Sequence, residues 1–279
     1  MAVELASLYD LLACPGCGTS PRPGLDGCGG CGRRIRIAGG GLDLLDDESR
    51  PDADAFAERY RALRLSEGWV DPTGQTRTGG RPELWGRLRS ASRAASILAR
   101  ERPNPAGRVV ADIGSGTGWA HPLFAGFGVI AFDLVPTIPI DNGLTVRADM
   151  RKLPLRDSTI DAAFFSASIH YVPLAEAVSE AARVLRHGGL LLVVDSPVYG
   201  DDASRARAAG RSASYYAAAG YPELATHYHP SSIGELRSAI LASGFDLVSV
   251  RTEGRLEGLC RRAMGRPPVS LAVGRRIRR

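Results

Sequence analysis

The stretch that most constrains this chain runs from Val109 to Gly118, an apolar segment that ends in Asp112-Ile-Gly-Ser-Gly-Thr-Gly118. Residues 108–111 read as a buried strand, the three glycines as a tight turn, and the residues from Trp119 onward as the start of a helix. Glycine lets the backbone approach a ligand closely, and the N–H groups at a helix N-terminus favour a carboxylate or phosphate. A strand, glycine turn and helix in this order therefore predict a nucleotide-binding α/β unit. The turn is not the Gly-x-Gly-x-x-Gly of dinucleotide sites. Its third glycine arrives one residue early, and an acid stands two residues before the first.

Asp112-x-Gly114-x-Gly116-x-Gly118 resembles the first motif of the class I S-adenosylmethionine-dependent methyltransferases, and further matches follow in order over residues 106–196. Gly128-Val-Ile-Ala-Phe-Asp133 reads as a second buried strand ending in an acid twenty-one residues after Asp112, close to what a strand-helix-strand unit requires. The resemblance implies that Asp133, followed by Leu134, binds the ribose hydroxyls. It further implies that Asp149 and Met150 hold the adenine, and that the backbone around Gly114, Ser115, Gly116 and Gly118 holds the methionyl part. Residues 157–166, ending in Ser166, follow the pattern of the fourth strand of that fold. The fold implied is α/β and Rossmann-like: a mostly parallel seven-stranded sheet with an antiparallel last strand, here 268–275.

One departure stands out between Asp133 and the next strand at 144–149. Only ten residues separate them, and Pro136 and Pro139 are among these. Interior proline removes a helical hydrogen bond and clashes with the preceding turn, so a bare loop is expected in place of a crossover helix.

Four of the five cysteines form Cys14-Pro-Gly-Cys17-Gly and Cys28-Gly-Gly-Cys31-Gly, ten residues apart. Two such turns aim four thiolates at one ion, the spacing of a tetrahedral zinc site; a disulfide pairing and a rubredoxin-like iron site are the alternatives. The surrounding stretch resembles the zinc-ribbon modules of some methyltransferases, including bacterial rRNA guanine methyltransferases. Cys260 lies far away and reads as a buried thiol.

The domain organisation expected is a zinc ribbon over 1–47, a helical linker over 48–105, and the cofactor-binding domain over 106–279. Phe56, Tyr60 and Leu63 recur at helical spacing in the linker, and a Gly/Pro-rich loop at 68–82 is long enough to be functional or mobile. A second linker helix runs through Leu84 and Leu98, and a short helix is read at 256–264. Segment 197–230 interrupts the α/β rhythm with five of the eight tyrosines and two of the five histidines. It is expected to form a lid over the acceptor. A base or orienting group would come from His170, Tyr171, Tyr215, Tyr216, His227 or His229, because loops at the carboxyl edge of such a sheet carry function. A surface hairpin or homodimer contact is the other use of this segment.

Composition narrows the partners. With 44% hydrophobic residues the chain can bury a full core. It has no apolar run near 18 residues and no basic-then-apolar start, so neither a membrane span nor a secretory signal is expected, and the cytoplasm is the expected compartment. The net charge of +5 comes almost wholly from arginine, Lys152 being the sole lysine. This reads as a compositional habit, with the arginine-rich 275–279 tail the one feature pointing to nucleic acid. The leading expectation is methyl transfer from S-adenosylmethionine to a small organic acceptor beside a structural zinc. The alternatives are an rRNA or tRNA base as acceptor, gripped by the ribbon, and a cofactor-binding scaffold whose ribbon docks a partner protein.

Overall fold

The computed structural model describes residues 5–22, 27–74, 82–135, 139–141, 143–252 and 269–277. Its centre is a run of parallel strands: β3 (Val109–Ile113), β4 (Gly128–Asp133), β5 (Gly143–Arg147), β6 (Ile160–Ser166) and β7 (Leu185–Tyr199). Two strands complete one side: β9 (Phe245–Thr252), and β10 (Val269–Arg276), which lies antiparallel between β7 and β9. The order β5-β4-β3-β6-β7-β10-β9 is the mostly parallel seven-stranded arrangement anticipated from the motifs, with the antiparallel last strand in place. Strand β3 is buried along its whole length, which is why it reads as a continuous apolar run.

Alternation along β3 sorts its side chains onto two faces. Val109, Ala111 and Ile113 face a core shared with Leu8 and Leu12, with α4 (Leu174–Val184) and with α6 (Ile233–Ala242). Val110 faces the core formed with α3 (Pro82–Glu101), through Ala91, Ala94 and Leu98. Helix α6 begins with a full capping box: Ser232 Oγ accepts from the Glu235 N–H at 3.1 Å, and Glu235 Oε2 accepts from the Ser232 N–H at 2.7 Å. Ser231 and Ser232 themselves form a two-residue strand, β8, beside the end of β7.

Four features bear on the expectations, and one of them, the absence of a helix from the described part of 134–142, agrees with what was anticipated. The residues after Gly118 do not start an α-helix; a single 3-10 turn, His121–Phe124, takes its place. Pro122 suits the first turn, but Ala125 is extended and Gly126 lies at φ +86°, which ends the turn after four residues. Segment 197–230 is mostly helical: β7 continues to Tyr199, then α5 (Asp202–Ala218) and a 3-10 turn, Pro222–His227, follow. No helix occupies the described part of 134–142. The helix read at 256–264, together with Cys260, lies outside the described residues, as do residues 75–81 of the loop after Gly68.

The fourth feature concerns the N-terminal segment, which merges with the sheet. Its hairpin, β1 (Arg36–Ala38) and β2 (Gly41–Asp43), adds two strands to the sheet, β2 running parallel to β5. Leu12 bridges to Leu155, and Leu8 at the end of α1 (Leu5–Tyr9) is fully buried. Among the described residues, no helix is long and apolar enough to cross a membrane.

The junction is held by Asp43, whose side chain is 4% exposed. Arg50, at the start of α2 (Arg50–Ser66), grips it through Nη1 at 2.7 Å and Nη2 at 3.0 Å, and Arg147 of β5 adds Nη1 at 3.3 Å. Arg147 also donates to the Leu134 carbonyl and pairs with Asp54 of α2. Burial alone would raise the Asp43 pKa; the Arg50 hydrogen bonds, the Leu45 N–H and the nearby Arg147 charge hold it below its ordinary value. A depressed carboxylate pKa stabilises the fold above the unfolded value and loses that contribution as pH falls through the folded one. Asp43→Ala removes the nearest carboxylate from Arg50 and one of two from Arg147, and is expected to cost about 3 kcal/mol in urea denaturation at pH 7. The difference from the unaltered protein should begin to shrink below about pH 4, where the unfolded carboxylate protonates, and vanish only as pH falls through the lower folded value.

Candidate active site and metal centre

The glycine turn follows β3 directly and is fastened to β4. The Gly114 and Ser115 N–H groups both donate to the Phe132 carbonyl, at 2.8 and 3.0 Å, and the Gly116 N–H donates to Asp133 Oδ2 at 2.8 Å. These N–H groups are thus engaged by β4, unlike the open helix N-terminus anticipated from the sequence. Gly114 (φ +70°) must be glycine on two grounds, since an added Cβ would also lie 2.3 Å from Ser168 Cβ. Gly116 (φ +58°) would meet nothing within 4 Å, because its Cα faces open space.

That space belongs to a cavity of about 790 Å³, the size range of small-molecule sites. On the sheet side it is lined by the turn from Gly114 to Thr117, by Asp133 and Leu134 after β4, by Asp149 and Met150 after β5, and by Ser166 after β6. Four successive strands therefore present their carboxyl ends to one cavity, the place where open α/β sheets bind ligands. Asp112 and Gly118 do not line it. Asp112 is buried behind the turn, with His121 Nε2 3.1 Å from Oδ2 but out of hydrogen-bond alignment.

The acids are held in distinct ways. Burial raises the Asp133 pKa to about 6, Asp112 adds to the rise, and the Val135 and Gly116 N–H groups oppose it. Asp149, 7% exposed, is clasped by Arg151, whose Nη2 lies 2.6 Å from Oδ2 and Nε 3.1 Å from Oδ1. The hydroxyls of Ser115 and Ser166 are buried on this wall without a partner among the described residues. Such groups are normally satisfied, so the wall is chemically incomplete without a ligand.

The opposite wall comes from elements on which the sequence reading placed no site residues. Helix α2 supplies Phe56, Tyr60, Arg61 and Arg64, and α3 supplies Arg87. In the sequence Phe56 and Tyr60 show helical periodicity alone, and the adjoining Arg61 and Arg64 are the sign that this face is not purely structural. Of the expected acceptor-side residues, Tyr171, His227 and His229 line the cavity, while His170, Tyr215 and Tyr216 do not. Tyr216 is buried in a small cluster with Phe56, Leu63 and Leu224, and Tyr215 is exposed. The His170 ring lies between Tyr171 and Tyr228, its Nδ1 3.4 Å from Ser196 Oγ. Burial, with the positive charges of Arg87 and Arg64, pushes its pKa down to about 3, so it is neutral near pH 7. His227 and His229 are also shifted down, by burial first.

The tyrosine hydroxyls form a local network. Tyr60 and Tyr171 hydroxyls are 3.0 Å apart, and Arg64 donates to the Tyr171 oxygen at 3.3 Å. Burial and the neighbouring tyrosine raise the Tyr60 pKa, so it remains a neutral phenol.

The second candidate site is the cysteine cluster. Sγ atoms of Cys14, Cys17, Cys28 and Cys31 all lie within 4.8 Å of one another, and none is in a disulfide. Cys14 and Cys31 sulfurs are 3.8 Å apart, and Cys17 and Cys28 sulfurs 3.5 Å. Sulfurs about 2.3 Å from a tetrahedral ion are separated by about 3.8 Å, so the cluster fits one metal ion. The Gly16 and Gly30 N–H groups point at the first sulfur of each turn, at 3.4 Å.

The two glycines give a test of the turn's construction. Alanine at either position incurs the left-handed penalty of about 1–2 kcal/mol. Gly114→Ala adds overlap with Ser168, whereas Gly116→Ala does not. Urea denaturation should therefore show Gly114→Ala to be the more destabilising by at least about 1 kcal/mol.

Comparison with known proteins agrees with this geometry. Residues 111–193 match the family described as a methyltransferase domain. Over 97 residues the chain is 33% identical to an uncharacterized methyltransferase of Mycobacterium tuberculosis, a match covering 32% of this chain and 40% of that protein. Over 99 residues it is 36% identical to ribosomal RNA-processing protein 8 of Rattus norvegicus, covering 34% of this chain and 20% of that protein. The chain thus spans less than half the length of these relatives. Among solved structures, it resembles geranyl diphosphate C-methyltransferase of Streptomyces coelicolor, determined with Mg2+, geranyl diphosphate and S-adenosyl-L-homocysteine. There the identity is 14%, covering 81% of this chain and 98% of that one at a TM-score of 0.56, a likeness of fold. Residues 111–193 thus resemble a methyltransferase domain in sequence, and they lie within a Rossmann-like, mostly parallel sheet.

Proposed function

We propose that the chain is an S-adenosylmethionine-dependent methyltransferase acting on a small organic acceptor, with one structural zinc held by Cys14, Cys17, Cys28 and Cys31. The observation that carries this reading is the convergence of four strand ends on one cavity whose sheet-side wall holds Asp133, Asp149 and two unsatisfied serine hydroxyls. On this reading Asp133 takes the ribose hydroxyls, Asp149 and Met150 the adenine, and the turn from Gly114 to Thr117 borders the methionyl part. The bound cofactor supplies an electrophilic methyl group on a sulfonium. The protein's own work is alignment and exclusion of water, which in-line displacement demands above all. Tyr171, His227 and His229 are placed to orient an acceptor, and the two lining histidines suit the removal of a proton from it. Segment 197–230 reaches the cavity through Thr226, His227 and His229, which supports a covering role for its C-terminal part.

A cavity walled by α2 and α3 favours a small acceptor over a nucleic-acid base. The rat relative, named for ribosomal RNA processing, keeps RNA as the second reading. Phosphate-driven RNA binding would weaken steeply with salt, and methylation of rRNA fragments with that dependence would replace the first reading.

The cofactor assignment is tested by calorimetry with S-adenosylhomocysteine. Asp133→Ala should weaken binding by roughly 10- to 100-fold, the range for hydrogen bonds to a charged group. Because the free Asp133 carboxyl takes up its proton near pH 6, affinity in the unaltered protein should fall as pH drops from 7.5 to 5. Unchanged affinity in the variant contradicts the assignment. Four thiolates fill a tetrahedral shell, so the metal is structural. Metal analysis should find about one zinc per chain, with Cys17→Ser lowering both zinc content and melting temperature.

A further inference from the structure

The half of the cavity away from the sheet is cationic, and its charge is only partly matched. Arg61 and Arg64 sit three residues apart on α2 and so share a face, while Arg87 comes from α3; all three line the same cavity. Arg64 is committed: Nη1 lies 2.6 Å from Glu67 Oε2, Nη2 donates to the Tyr171 hydroxyl, and its guanidinium lies over the Tyr60 ring. Arg61 and Arg87 have no carboxylate partner among the described residues; Arg87 lies 5.1 Å from the centre of the Trp69 ring.

The acids near this cavity do not answer them. Asp149 is clasped by Arg151, and Asp133 accepts two backbone N–H groups on the opposite wall. Asp71 accepts from the N–H and hydroxyl of Thr73. Asp52 lines the cavity from the first turn of α2, nine residues or about 13 Å along the axis from Arg61. The positive field is felt by a neighbour, since Arg87 and Arg64 both contribute to the depressed pKa of His170, after burial. Around the arginines the wall is aromatic, with Phe56, Tyr60 and Tyr171.

Resting on the methyltransferase reading above, we propose that this half of the cavity takes an acceptor bearing an anionic group, a carboxylate or a phosphate on an apolar or aromatic body, with Arg61 and Arg87 as the anion's ligands. Guanidinium groups offer paired N–H donors that match the oxygen edges of both groups. The aromatic wall receives the apolar body, and the acceptor's reactive atom is directed toward the sheet-side wall. This arrangement gives α2 and α3 a selecting role: a neutral analogue of the same shape leaves two guanidinium charges without a partner.

The test titrates the full chain with benzoate, phenyl phosphate and benzyl alcohol by calorimetry, with and without saturating S-adenosylhomocysteine. At least one of the two anions should bind ten-fold or more tightly than benzyl alcohol, and the tighter anion distinguishes a carboxylate from a phosphate ligand. Arg61→Gln and Arg87→Gln should each reduce that preference at least five-fold, while Arg87→Lys retains part of it and melting temperatures stay near that of the unaltered protein. Equal binding of the anions and the alcohol, or a preference untouched in both glutamine variants, overturns the proposal. If the unaltered chain does not bind S-adenosylhomocysteine, the methyltransferase reading fails, and the titration without cofactor still judges the arginine site on its own.

Discussion

The carboxylate of Asp43 is where three parts of this molecule meet. It ends β2, the strand that the cysteine-bearing segment adds to the sheet. It is gripped by Arg50, the first residue of α2, and by Arg147, the last residue of β5. Such a buried group is tolerable only when fully partnered, because an isolated buried charge costs several kcal/mol. The consequence reaches the cavity. The clasp fixes the N-terminal end of the helix whose next turns carry Phe56, Tyr60, Arg61 and Arg64, and Arg147 also holds the Leu134 carbonyl beside Asp133. One ion-pair network therefore ties the sheet-side wall of the cavity to the wall built from α2.

This ties the cysteine cluster to the site without giving the metal any chemistry. The segment that carries the four thiolates continues directly into β1 and β2, and Arg33, between the last cysteine and β1, donates to the Leu45 carbonyl near the start of α2. Ordering four thiolates around one ion would stiffen this N-terminal edge. That edge is continuous with α2, so a metal held by the four thiolates would bear on the cavity through the fold and not through chemistry.

The central sheet was legible because its strands are buried on both faces and read as unbroken apolar runs, with acids at their carboxyl ends. Asp133, Leu134, Asp149, Met150 and Ser166, the residues indicated by the family resemblance, all line the cavity wall. What escaped depended on tertiary contacts or on small local balances. The α-helix expected after Gly118 gave way to a 3-10 turn, for which Pro122 and Gly126 were the visible warnings. The pairing of β2 with β5 joins residues 104 positions apart through a three-residue strand, too short to announce itself by periodicity. Helix α2 was recognisable as amphipathic, but a helical pattern does not say that part of its polar face borders a cavity instead of solvent. The clasp of Asp149 by Arg151, two residues further on, is a side-chain contact that no periodicity announces.

The proposed function requires one cavity with two unlike walls, a sheet-side wall for the cofactor and a cationic, aromatic wall for the acceptor. A crystal structure of the chain with S-adenosylhomocysteine tests it most directly. The account predicts the ribose against Asp133, the adenine beside Met150, and open volume remaining between Phe56, Arg61 and Arg87. A cofactor product bound elsewhere, or one whose adenosine fills the arginine side and leaves no room for an acceptor, would contradict it.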